Sequence, residues 1–298
     1  MMLFHYSFMI PALIFCLILA GIHTYFGYHI VERGVIFVDL SLSQIAALGS
    51  SVAIIFGWGD ESPTMSFLVS LGFTFAGSVL FALLRKMQNR APMEALIGIS
   101  YAGAIAISLL VLEKTATGTE HIKEMLIGTI LTVSWKNVIG MGILVLVVGA
   151  IHFAARKKLF MISENPELAE NKGIRVWLWD IVFYATFGII VTSSVKIAGV
   201  LMVFSLLIIP AISAMLCVRG MAKRITLGWV IGLAGCTLGL EGSLRADSAA
   251  GPTIIATLLC LLVAIAVVSS FVKRAGRENK NNIFEEQKKE AGVRQILN

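Results

Sequence analysis

The stretch IFVDLSLSQIAALGSSVAIIFG, residues 36–57, decides how this chain folds. It is apolar and long enough to cross roughly 30 Å of hydrocarbon, yet it carries a carboxylate, Asp39, with Ser41, Ser43 and Gln44 close behind. A soluble protein would let that acid face water. An acid near mid-bilayer costs roughly 2.5–3.5 kcal/mol on insertion scales, so it normally faces a bundle interior or a polar route. Helical spacing lines up Asp39, Ser43, Ala46, Ala47 and Ser50 on nearly one face, and Ser41, Gln44, Leu48 and Ser51 on a second. Such a wall suits close helix packing, with Asp39 held by a hydroxyl or a backbone amide. It equally suits a hydrophilic passage in which Asp39 is a transient oxygen ligand for a cation.

The rest of the chain matches that stretch. Of 298 residues, 57% are hydrophobic and 14% charged, against about 25% charged in soluble chains. Apolar runs recur at 6–31, 35–57, 64–84, 92–112, 137–155, 177–195, 197–218, 225–244 and 252–272, and a further one at 125–133 is too short to span. The expected fold is all-α: a polytopic membrane helical bundle of eight or nine transmembrane helices. One membrane domain covers 1–275, followed by a polar tail over 276–298. The first run has no basic leader and no clear cleavage site, and reads as a retained helix. Cys16, Cys217, Cys236 and Cys260 all lie in apolar runs without C-x-x-C spacing, and read as small apolar side chains.

Basic residues give the orientation. They cluster after the third run (Arg85, Lys86, Arg90), the fifth (Arg156, Lys157, Lys158) and the seventh (Arg219, Lys223, Arg224), and again in the tail. With these segments in the cytoplasm, only Lys114, Lys123, Lys136, Lys196 and Arg245 of the 24 Lys and Arg fall outside. The positive-inside rule therefore puts the N-terminus outside and the C-terminus inside. The net charge of +6 reflects membrane orientation, not a nucleic-acid partner.

Catalytic signatures are missing. There is no H-E-x-x-H, and the GIS at 98–100 lacks the full G-x-S-x-G. No G-x-x-x-x-G-K-[ST] loop exists to cradle a nucleotide's phosphates, so transport driven by ATP would need a separate hydrolysing subunit.

One polar segment stands apart: SENPELAENKGIRV, residues 163–176. Asn165 can cap a short helix there, Pro166 suits its first position, and Glu167 favours its positive start. Lys172 sits at the other end, and Gly173 can take the left-handed closing conformation. Isolated helices under about 12–15 residues are marginal in water, so this one must dock. It can pack on the protein's own helix ends, or fit a cleft on a cytoplasmic partner.

Several segments together resemble the permease subunits of ATP-binding-cassette importers for zinc, manganese and iron-chelate substrates. Arg33 and Asp39 match the family's Arg followed six residues later by Asp. IGTILTVSW at 127–135 is similar to its G-N-I-L-x-V-S, and NPELAENKG at 165–173 to its D-P-E-L-A-x-x-x-G. GVLMVFSLLIIPA at 199–211 follows the seventh-span pattern nearly letter for letter, and DSAAGP at 247–252 corresponds to D-x-P-S-G-P. The resemblance implies an inner-membrane permease, working as a homodimer or paired with a sister subunit. It also implies cytoplasmic ATPase subunits and an extracytoplasmic metal-binding protein. No permanently bound cofactor is expected; a divalent metal is cargo, and ATP acts through the partner. Asn165, Pro166, Glu167, Leu168, Ala169 and Gly173 would then couple to the ATPase. The family's pathway His, four residues after the Asp, falls here on Ser43, or on Gln44 with a one-residue slip. The site residues expected for the route are therefore Asp39, Ser43 and Gln44, an oxygen set that suits manganese better than zinc.

Other polar residues are candidates of second rank. His23 or His29 could supply an imidazole if the first span packs on the second; interface hydrogen bonding is the alternative. His121 and Glu124, three apart, could share a metal at the outer entrance or simply be solvated. Glu241 and Arg245 read as an ion pair. Asp180 and Glu94 read as first-turn acids favoured by the helix dipole. Pro210 breaks a hydrogen bond inside the seventh span and is the expected gating hinge. The rival reading is an ion-coupled secondary transporter using Asp39 as a relay, in which 163–173 would be dispensable.

Overall fold

Ten α-helices and no strand make up the regular structure of the described residues, which in this computed structural model are 9–58, 62–85, 91–113 and 128–271. In chain order they are α1 (Met9–Glu32), α2 (Val38–Ile55), α3 (Pro63–Leu84), α4 (Met93–Leu112), α5 (Trp135–Glu164) and α6 (Pro166–Asn171). Then follow α7 (Val176–Ala198), α8 (Val200–Cys217), α9 (Met221–Ala246) and α10 (Ala250–Phe271). All but α6 are long and apolar enough to cross a bilayer, so each of the nine expected spans has its helix. His121, Glu124 and the tail 276–298 lie outside the described residues.

Two boundaries differ from the hydropathy reading. The fifth span runs on to Glu164 instead of stopping near 155. Its last turns, RKKLFMISE, are charged but made largely of good helix formers, so the helix leaves the bilayer without ending. The second span starts at Val38 and not at 35, because Gly34 closes α1 at φ +66°. Val35 N–H then bonds back to the Ile30 carbonyl at 3.2 Å. Asp39 consequently sits in the first turn of α2.

Burial separates an inner set of helices from an outer one. The apolar window of α1 is 67% buried, whereas that of α10 is 11% buried. α2, α7 and α8 resemble α1, while α3, α4 and α5 are mostly exposed like α10. The outward side chains of that outer set, such as Leu80, Ile107, Leu146 and Val263, are apolar, as a lipid-facing surface requires. α1 packs on α8, α9 and α5; α2 packs on α3, α4, α7 and α8; α7 also packs on α3 and α5, joining the two groups.

Lipid is as apolar as a leucine side chain, so close backbone approach and interhelical hydrogen bonds hold such helices together. At Gly27 of α1 a Cβ would stand 1.9 Å from the Leu207 carbonyl oxygen of α8, so no other residue fits that crossing. Across α3 and α7, Thr74 Oγ1 meets Thr192 Oγ1 at 2.9 Å, and Ser78 Oγ donates to the Tyr184 carbonyl at 2.9 Å. Such membrane hydrogen bonds contribute about 0.6–2 kcal/mol each.

Candidate functional site

Polar side chains gather at the end of the bundle that carries α6. Arg33, just past α1, reaches between helices: Nη1 donates to Asp180 Oδ1 at 2.7 Å and Nε to Ser163 Oγ at 2.8 Å. Its guanidinium lies 3.9 Å from the centre of the Phe183 ring. From the end of α3, Arg85 Nη1 donates to both oxygens of Asp180 at 2.7 Å. The Arg33 and Asp180 side chains are each only 1% exposed. Asp180 is the fifth residue of α7, beyond its first turn. Two guanidinium groups therefore hold this acid, not the helix dipole. Glu94 is a first-turn acid, and its Oε1 accepts from Ile36 N–H.

Ser163 ties this cluster to the short helix. It lies in the last turn of α5, three residues before Pro166, and its Oγ also meets His29 Nδ1 at 2.7 Å. Beside it Tyr28 OH donates to Glu164 Oε1 at 2.7 Å. The spacing of six between Arg33 and Asp39 thus has a geometric meaning: one end of the motif grips the α5–α6 junction, and the other opens α2.

α6 is capped at both ends by its own residues. Asn165 Oδ1 accepts from Leu168 N–H at 2.9 Å, Pro166 occupies the first position, and Glu167 lies in the first turn. Gly173 turns left-handed at φ +74°. Its N–H bonds to the Glu170 carbonyl at 2.8 Å, and Ile174 N–H to that of Ala169 at 3.1 Å, the paired closing bonds of a helix C-terminus. The helix docks on its own chain through Ala169, which is fully buried against Ile162 and Val176. Of the segment's expected coupling residues, Ala169 therefore faces inward. Leu168 points out, 44% exposed, between exposed Glu167 and the exposed far end of the helix.

Asp39 has the opposite character. It is wholly buried, and neither carboxylate oxygen has a hydrogen-bond partner. One turn on, Ser43 is also buried with its Oγ unpartnered, as is Ser41 on the neighbouring stripe. Gln44 is buried beside them. Further along the same face, Ser50 Oγ meets Ser70 Oγ of α3 at 2.6 Å, and a Cβ at Gly49 would crowd Ser70 and Phe73. The stripe therefore packs tightly towards its far end and keeps orphaned oxygens only near Asp39. Among the described residues, no three His, Cys, Asp or Glu side chains come together in a group that could hold a metal ion.

The remaining candidates fall elsewhere. α1 does not pack along α2, so the histidines of α1 are not brought to Asp39 by such a contact. His29 faces Ser163, Phe160 and Phe183, and His23 bonds through Nδ1 to its own helix at the Leu19 carbonyl, 2.9 Å away. Pro210 is buried inside α8, with Gly228 and Gly232 of α9 against it. Arg245 Nη2 pairs with Glu241 Oε1 at 2.9 Å. At the opposite end of the bundle, Ile130–Thr132 form a single tight turn held on α7, with Thr129 N–H donating to the Ile197 carbonyl at 2.9 Å.

The charge cluster, and a second group in which His152 joins Tyr25 OH at 3.1 Å and Thr186 Oγ1 at 2.7 Å, escaped the sequence reading. A lone histidine inside the fifth apolar run and an arginine at a span end were the available signals.

Comparison with known proteins agrees with this geometry. The sequence pattern of the ABC 3 transport family matches residues 5–269. The manganese import system permease protein ScaB of Streptococcus gordonii is 28% identical over 224 residues, covering 70% of this chain and 78% of its own. The high-affinity zinc uptake system membrane protein ZnuB of Haemophilus influenzae is 24% identical, over 84% of this chain and 93% of its own. In fold, PsaBC from Streptococcus pneumoniae, solved in complex with Fab, superposes with a TM-score of 0.73 at 20% identity, covering 89% of this chain and 92% of that one.

Proposed function

The chain belongs to the ABC 3 transport family and is a permease of an ABC importer, and from that premise we propose that it carries a divalent metal ion, driven by a separate ATPase that docks on α6. The observation that carries this reading is α6 itself. Its inner face is spent on Ala169, while Leu168 is presented outward on a helix whose capping needs no partner. A cytoplasmic subunit that pushes on Leu168 moves the α5–α6 junction, and Ser163 passes that movement to Arg33, six residues from Asp39. The end of the bundle bearing α6 is then cytoplasmic, which agrees with the basic residues gathered there, and the membrane is the bacterial cytoplasmic membrane.

Asp39 and Ser43 would contact the cargo. Their oxygens are enclosed by the helices that α2 packs on, so cargo reaches them only when α2 parts from those neighbours, as alternating access requires. Pro210, inside α8 of the inner set and packed against α9, is the hinge that this motion would use. An all-oxygen set favours a manganese-class cation over zinc, in line with the manganese permease among the relatives. The metal is cargo, delivered from outside by a binding protein, and two copies of the permease form the complete route.

The test is Leu168→Glu in permease reconstituted with its ATPase. ATP hydrolysis should persist while metal uptake falls at least tenfold, with the chain still folded and inserted. Unchanged uptake would overturn the docking of the ATPase on Leu168 of α6.

A further inference from the structure

Helix α5 ends its bilayer crossing well before it ends as a helix. From Trp135, half exposed at its start, the outward side chains include Ile139, Ile143, Leu146 and Phe153, all apolar. They give way to Arg156, Lys157 and Lys158, all exposed. At 1.5 Å per residue, Trp135 and Arg156 stand about 31 Å apart along the axis, close to the roughly 30 Å of hydrocarbon in a bilayer. An aromatic anchor thus marks one interface and a run of cations the other, at the depth of the lipid phosphates.

The cations do not all behave alike. Arg156 folds back over the Phe153 ring, 4.0 Å from its centre, and donates to the Phe153 carbonyl at 3.1 Å. Lys158 instead crosses to the start of α7, with Nζ 4.6 Å above the Trp179 ring. Arg175, one turn before Trp179, shares that helix face and is exposed, as is Lys157. Among the described residues, none of Lys157, Lys158 and Arg175 is in an ion pair, whereas Arg33, Arg85 and Arg224 of the same end all are. The inward cations are neutralised by the protein; among the described residues the outward ones are in no ion pair with it.

We infer that the junction of α5 and α7 is a binding site for the phosphate headgroup of an anionic phospholipid, held by Lys157, Lys158 and Arg175, with the Trp179 ring beneath Lys158. The acyl chains lie along the apolar flank of α5. Because this flank adjoins α6 in the chain, the lipid braces the helix pair between which α6 is strung.

The full chain, extracted from vesicles of equal phosphatidylglycerol and phosphatidylcholine, should retain phosphatidylglycerol selectively by native mass spectrometry. Lys157→Gln/Lys158→Gln/Arg175→Gln should lower that retention about tenfold, and Lys157→Arg/Lys158→Arg should keep it. Arg219→Gln/Lys223→Gln, which removes exposed cations of the same end, should also keep it. Size-exclusion profiles report whether each variant is folded. Inorganic phosphate at millimolar concentration should neither displace the lipid nor raise the melting temperature. The assignment is overturned if wild-type chain retains both lipids equally, which would leave the patch to a protein partner. It is overturned as well if the Arg219 and Lys223 variant loses as much lipid as the triple one, or if phosphate alone serves as well as lipid.

Discussion

Asp180 and Asp39 are both wholly buried, and they stand near the same end of the bundle. There the likeness ends. Asp180 receives bonds from two guanidinium groups, Arg33 and Arg85, each at 2.7 Å. Asp39 receives none on either oxygen. A buried carboxylate without a partner carries the desolvation penalty with nothing to offset it. The difference sets the two apart: the satisfied acid fixes α1, α3 and α7 to one another, and the unsatisfied one is free of protein partners on both oxygens, as the proposed role of a transient cargo ligand requires.

The largest effect should come from the satisfied acid. Asp180→Asn leaves two arginines facing each other in a dry site, and breaking a buried pair from one side costs about 3–5 kcal/mol. The purified variant should melt far below wild type or fail to accumulate in the membrane. A melting curve unchanged from wild type would show that Asp180 is no keystone and remove the contrast with Asp39.

A smaller effect is expected at Arg33. Arg33→Lys keeps the charge near Asp180 but loses the planar fork that also reaches Ser163. Losing one charge-assisted hydrogen bond costs about 1.5–3 kcal/mol. Because that bond is the link to the α5–α6 junction, uptake per ATP hydrolysed should fall several-fold more than stability suggests. If uptake and stability decline together, the Ser163 link carries no movement and the cluster is purely a brace.

How far these roles could be read beforehand depends on the range of the forces involved. The nine spans were legible because hydropathy is local, and α6 was legible because Asn165, Pro166 and Gly173 cap it within nine residues of chain. The overrun of α5 was not, because its apolar pattern stops at Arg156 while helix propensity continues. The hold on Asp180 was hidden for a stronger reason: its partners Arg33 and Arg85 lie 147 and 95 residues away, and no local pattern records that pairing. Asp39 was visible as an anomaly, yet its place in the first turn of α2 was not, because a single turn at Gly34 decides where that helix begins.

The smallest effect on stability should come from Asp39, and that smallness is the point. Asp39→Asn removes a charge that no protein group supports, so stability should stay within about 0.5 kcal/mol of wild type or rise. Metal uptake should nonetheless fall at least tenfold, since an amide keeps the shape but not the charge that attracts a cation. Ser43→Ala should follow the same direction with a milder loss, because a hydroxyl contributes an oxygen without a charge. Melting curves and manganese accumulation measured on the same preparations would place the two acids on opposite diagonals, Asp180 losing fold and transport together, Asp39 losing transport alone. Should Asp39→Asn melt as early as Asp180→Asn, the bare carboxylate has a structural partner after all, and the route for the cation must be sought elsewhere in the bundle.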